Sequence, residues 1–154
     1  MAIKKGTAAK YKRTRTLSPV DAAYLAGLID GEGTIALTRK HREGNRQLFV
    51  SISSTERNIL EHVLRTVGAG KITNKRTDRK HHSPSGAYAV ANRQALELLK
   101  QIVPYLQSYK AERARLVLIN YLRLTPRNGR YSPQQFKERE LFIKQFLELR
   151  PNPA

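Results

Sequence analysis

The sequence contains no cysteine, which excludes disulfides and thiolate metal centres and suits a reducing, intracellular compartment. Acid is scarce. Twelve Asp and Glu stand against 29 Lys and Arg, so the formal net charge is +17 over 154 residues. A charge excess of that size calls for a polyanionic partner, nucleic acid before an anionic membrane. Long apolar runs are also missing. A spanning helix needs about 20 apolar residues, and the longest run here, from Ala22 to Ile29, has eight. The basic stretch Met1 to Arg15 has no apolar core behind it, so no secretory signal is expected.

What remains is enough for a fold. Hydrophobic residues at 40%, with seven Tyr and four Phe, separate this chain from a disordered basic tail. The expected organisation is a mobile basic arm over 1–17, one domain over 18–150 and a short tail over 151–154. Ser18-Pro19-Val20-Asp21 reads as a helix start, with Ser18 as cap, Pro19 in the first turn and Asp21 at the positive end. The helix that follows has no polar face and is expected to be buried all round. Alternation then predicts a strand over 34–40 and a second over 48–53, joined by a charged loop. An amphipathic helix over 55–67 ends at Gly68-Ala69-Gly70. A second hairpin is expected from strands 71–77 and 87–91. Asn92 is positioned to cap a helix through Gln101, and helices over 110–124 and 132–149 close the chain.

The order αββαββα, followed by two helices, predicts an α+β fold. Two hairpins would form a twisted four-stranded antiparallel sheet with helices on one face and a wet, cation-lined face on the other. Such a face can read DNA grooves. By alternation its contact residues are Thr34, Ala36, Thr38, Lys40, Arg42, Arg46, Ser51 and Ser53 in the first hairpin. The second contributes Lys71, Thr73, Lys75, Arg76, Arg79 and Lys80.

The nonapeptide Leu25-Ala26-Gly27-Leu28-Ile29-Asp30-Gly31-Glu32-Gly33 puts two acids at the end of an apolar helix, where the dipole mildly opposes them. One reading is structural: Asp30 satisfies turn amides and Glu32 pairs with a lysine. The other is that a carboxylate holds a divalent cation beside a phosphate, the oxygen-ligand chemistry that Mg²⁺ favours. The nonapeptide resembles the signature of the LAGLIDADG homing endonucleases, agreeing at seven of nine positions. The likeness in element order extends from Ser18 to Leu149. A single motif in a short chain resembles the homodimeric group of that family.

That resemblance implies a DNA endonuclease that makes a double-strand break in a long, pseudo-palindromic site, leaving short 3′ overhangs. It implies Mg²⁺ held by Glu32 and the Gly31 carbonyl, with Mn²⁺ able to substitute and Ca²⁺ binding without cleavage. Asp30 is the structural motif acid. Lys110, in Tyr105-Leu106-Gln107-Ser108-Tyr109-Lys110, matches the family's active-site lysine. Ser54 stands where relatives carry a water-ordering side chain, often a glutamine, and is a departure from that pattern. The small residues Ala22, Ala23, Ala26 and Gly27 are implied at the dimer axis. The competing reading is a catalytically silent member of the fold, either a maturase that binds intron RNA or a transcription regulator. A structural RNA-binding protein would fit the composition but leaves the Ala22 to Gly33 pattern without a reason.

Overall fold

The computed structural model describes residues 12–74 and 84–152. The elements in order are α1 (Pro19–Glu32), β1 (Gly33–Thr38), β2 (Gln47–Ser54), α2 (Arg57–Val67), β3 (Lys71–Asn74), β4 (Gly86–Ala91), α3 (Asn92–Ile102), α4 (Tyr109–Asn120) and α5 (Pro133–Glu148). A 3₁₀ turn, Val103–Tyr105, carries the expected break at Pro104. The strands form one antiparallel sheet in the order β1-β2-β4-β3, so the α+β expectation holds.

Alternation sorts the sheet into two faces. Ile35, Leu37, Leu48, Val50, Ile52, Tyr88 and Val90 are buried beneath the helices. Thr34, Ser51, Ala89 and Lys71 make one cross-strand row on the opposite face. Ala36, Phe49 and Ala91 make another, and Ser53, Ala87 and Thr73 a third. Among the described residues, this open face is less charged than the sequence suggested. Lys71 is its one cation at a strand position among the described residues. Strand β1 ends at Thr38, so Lys40 and Arg42 lie in the exposed loop beyond it. Lys75, Arg76, Arg79 and Lys80 fall outside the described residues.

Helix α1 starts as its sequence indicates: the Ser18 side chain accepts the Asp21 N–H, and Pro19 occupies the first turn. It is not buried all round. Leu25, Ala26 and Ile29 have no exposure and Ala22 has 3%, whereas Val20 is 78% and Tyr24 43% exposed. Ala23, Gly27 and Gly31 continue that outward stripe. Hydropathy could not separate the two sides because both are apolar. At its C-terminus α1 turns directly into β1 at Gly33. A Cβ there would lie 2.5 Å from Ile29 Cα and 3.0 Å from the Ser51 carbonyl oxygen. Only glycine lets the helix end sit that close to the sheet.

Two further expectations are corrected. Residues 12–17 are not a free arm, because α3 holds their backbone through Gln94, Glu97 and Gln101. Asn92 does not cap α3. The capping position is Ala91, and Asn92 sits in the left-handed region (φ 54°), where its side-chain oxygen accepts the Tyr121 hydroxyl at 2.8 Å. Asparagine tolerates that conformation better than most residues.

Helix α5 packs on the domain. Phe142 and Phe146 are buried, and two arginines tie the helix down. Arg113 donates to the carbonyls of Leu149 and Ile35 while its guanidinium stacks on the Tyr109 and Phe146 rings. Arg139, 4% exposed, donates to the carbonyls of Leu124 and Arg46 and to the Thr125 hydroxyl.

Candidate nucleic-acid interface and active site

The two motif acids have different environments. Asp30 faces the start of α4. Its carboxylate accepts the backbone N–H of Gln107 at 2.8 Å, the N–H of Ser108 at 3.1 Å and the Ser108 hydroxyl at 2.5 Å. Burial alone would raise its pKa. The hydrogen bonds from Ser108 and Gln107 and the charge of Lys110 outweigh burial, so the pKa lies below the usual carboxylate value. Glu32, two residues on, is exposed and makes no hydrogen bond or ion pair with another described residue. A helix end with four orphan carbonyls is a poor place for a carboxylate, and this one lacks the pairing that would explain it structurally.

Lys110 supplies the balancing charge. It is 8% exposed, and its Nζ donates to the Ile29 carbonyl at 2.8 Å and the Asp30 carbonyl at 2.9 Å. The ammonium therefore caps the C-terminus of α1. Burial lowers its pKa, with Asp30 and Glu32 opposing that shift and Arg113 adding to it. Lys110 thus sits at the motif end beside Glu32, with its donors committed to two of the four C-terminal carbonyls. The Gly31 carbonyl follows next along the chain.

A groove of about 440 Å³ is lined by Leu28, Glu32, Ile52, Ser53, Ser54, Thr55, Ile59 and Ser85. It brings Glu32 and Ser54 together, but Ser54 has another task. Its hydroxyl accepts the Glu56 N–H at 2.9 Å and shapes the turn into α2, which begins at Arg57 rather than Thr55. The neighbouring Ser53 lies on the open sheet face. Alternation already places Ser53 on that face, and the turn made by Ser54 is what the sequence does not show.

Of the other nominated contacts, Thr34, Thr38 and Thr73 are exposed, while Ala36 and Ser51 are partly buried on the open face. Arg46 is partly committed, donating to the Leu37 carbonyl at 2.9 Å. Of the four small α1 residues, Ala23 and Gly27 face outward, whereas Ala22 and Ala26 are packed in the chain's own core. Residues that sequence reasoning missed are Gln94, Glu97, Gln101 and Arg139. Gln94, Glu97 and Gln101 recur at helical spacing, which was the available signal.

Metal chemistry can be judged from the donors. Glu32 offers a carboxylate without a protein partner, and Gly31 a carbonyl beside it. Oxygen donors of this kind suit Mg²⁺, which is commonly held by one or two carboxylates plus substrate phosphates. No group of three or more His, Cys, Asp or Glu residues that could hold a metal occurs among the described residues. The chain alone is therefore a weak cage, and the fit depends on phosphate oxygens completing it.

A LAGLIDADG-like domain family matches residues 19–120, about two-thirds of the chain. The chain belongs to the LAGLIDADG family. Solved structures share the fold. The homing endonuclease I-CvuI, in complex with DNA in the presence of Mg, is 24% identical, with a TM-score of 0.69 over 88% of this chain and 85% of that one. The archaeal intron-encoded homing endonuclease I-Vdi141I, complexed with DNA, is 15% identical, with a TM-score of 0.58 over 88% and 87%. The meganuclease I-SmaMI, bound to DNA, is 17% identical, with a TM-score of 0.63 over 83% of this chain but only 45% of its own. This single LAGLIDADG unit therefore matches most of the length of some relatives and about half of another. No curated protein matches the chain in sequence. Among the described residues, no helix is long and apolar enough to cross a membrane.

Proposed function

We propose that this LAGLIDADG chain is a sequence-specific DNA endonuclease that acts as a homodimer and hydrolyses phosphodiester bonds with a divalent cation, Mg²⁺ first. The observation that carries the reading is the unpaired, exposed Glu32 carboxylate at the end of α1, on a chain whose other charges are overwhelmingly positive. A structural acid would look like Asp30, which is fully engaged.

Two copies would pack through the outward stripe of α1, where Ala23, Gly27 and Gly31 allow close backbone approach. That places two Glu32 carboxylates near one axis, one for each DNA strand. The open sheet faces would then lie along the major grooves. Glu32 and the Gly31 carbonyl would hold the cation, which supplies activation of a water and stabilisation of the attacking and leaving oxygens. Lys110 acts chiefly by clamping the carbonyls of Ile29 and Asp30, which orients the helix end that presents Glu32. Ser53, on the open face, lines the same groove as Glu32 and joins Ser54 as a candidate to order water. Cleavage of both strands across the minor groove, with short 3′ overhangs, follows from the family likeness.

The test is cleavage of the intronless insertion site, taken from the genomic flanks of the reading frame, with Mg²⁺, with EDTA and with Glu32→Gln. Cutting in Mg²⁺ alone, abolished by Glu32→Gln while binding persists, is the expected result. Tight, salt-sensitive binding without cutting under any divalent metal would instead identify a silent member of the fold, a maturase or regulator.

A further inference from the structure

The segment Lys12–Leu17 is anchored through its backbone. The Gln94 amide donates to the Lys12 carbonyl at 2.6 Å, and Glu97 accepts the Thr14 N–H at 2.9 Å. Gln101 accepts the Leu17 N–H at 2.7 Å and donates to the Arg15 carbonyl at 3.1 Å. The Arg15 N–H donates to the Val67 carbonyl at 2.8 Å. Positions 94, 97 and 101 share one face of α3, so a single helix face reads the backbone of this segment.

None of these contacts uses a cation. Lys12, Arg13 and Arg15 are exposed, and none forms an ion pair with a described residue. Holding three like charges within four residues costs self-repulsion that a free tail would relax. Their location gives the reason. Lys12 lines a shallow groove on the open sheet face with Phe49, Lys71, Ala89 and Ala91. The Arg15 stem lies over Gly68, at the same corner where the chain enters β3.

We propose that Lys12, Arg13 and Arg15 form a phosphate-binding strap at the rim of the sheet, held in place by Gln94, Glu97 and Gln101. The strap grips DNA backbone beyond the base pairs that the strands face. This inference rests on the DNA-binding reading above. It assigns affinity rather than sequence choice to the segment, because phosphate contacts position a protein without reading bases.

The probe is a 40-bp duplex of random sequence, bound to the full chain across 50–200 mM salt. K12Q/R13Q/R15Q keeps the side-chain stems and removes the charges. For every phosphate that the strap no longer grips, the salt slope should flatten by about 0.9 and binding at the lowest salt should weaken by about tenfold. A second variant, Q94A/Q101A, keeps every charge and releases the backbone. It should bind more weakly than the parent. A triple variant with the parent's salt slope would overturn the strap, and a parental affinity for Q94A/Q101A would reduce it to unplaced charge. Failure of the parent chain to bind any duplex would instead remove the DNA reading itself.

Discussion

Asp30→Asn isolates the joint between α1 and α4. In the parent, one carboxylate accepts two backbone N–H groups and one hydroxyl. An asparagine keeps one oxygen acceptor and turns an NH₂ toward the remaining donors, so at least one N–H at the start of α4 is left without its partner. These N–H groups are exposed or half-buried, so water replaces the lost acceptor in part and the cost is about 0.5–2 kcal/mol, as for loss of a helix cap. For a chain of this size that amounts to a fall in Tm of about 2–4 °C for each kcal/mol. The penalty should depend on pH. Because the folded pKa of Asp30 is depressed, its carboxylate contributes stability that is fully present above the unfolded value of about 3.9 and is lost as pH falls through the folded value. Urea unfolding of both proteins from pH 7 down to about pH 2.5 should show the gap narrowing below about pH 4. A gap that is absent at pH 7, or constant across the range, would refute the assignment of Asp30 as a charged cap.

The remaining predictions use the same structure. Gly33→Ala forces a methyl into backbone atoms of Ile29 and Ser51 that cannot swing away. The expected cost is about 2–3 kcal/mol in thermal unfolding, at the upper end for overpacking. Gly27 has nothing within 4 Å of a built Cβ. Gly27→Ala should therefore stabilise the single chain by up to about 1 kcal/mol through helix propensity, while Gly27→Phe should leave it folded and shift sedimentation from dimer to monomer. A Gly27→Phe protein that remains dimeric would place the dimer interface elsewhere. Ser54→Ala removes the turn hydrogen bond to Glu56 and should cost about 0.5–2 kcal/mol of stability, like removal of a helix cap. Ser53→Ala should slow single-turnover cleavage more than Ser54→Ala does, and the reverse pattern would return the water-ordering role to Ser54.

Local chemistry accounts for how much of the fold could be read directly. Ser18-Pro19 and Ser132-Pro133 are start signals whose physics is complete within a few residues, and both helices begin there. Strand alternation and glycine stops are equally short-ranged, so the two hairpins and the open-face residues of the first were legible. The motif acids were visible too, because two carboxylates at a helix end stand out in a chain of this charge.

Other features depended on what each residue meets across the fold. Both sides of α1 are apolar, so no periodicity could show that Ala22 and Ala26 enter the core while Ala23 and Gly27 face outward. That choice was made by where the sheet lies. The carboxylates of Asp30 and Glu32 differ only because one reaches the Gln107 and Ser108 amides, 77 and 78 residues away in sequence. Lys110 is one of 29 cations until the end of α1 is placed against α4 and its ammonium finds two carbonyls. The segment 12–17 looked like a free tail because its partners, three polar residues on α3, lie more than 80 residues further on. Sequence reveals interactions completed within a turn or a strand, and the rest requires packing to bring distant donors and acceptors together.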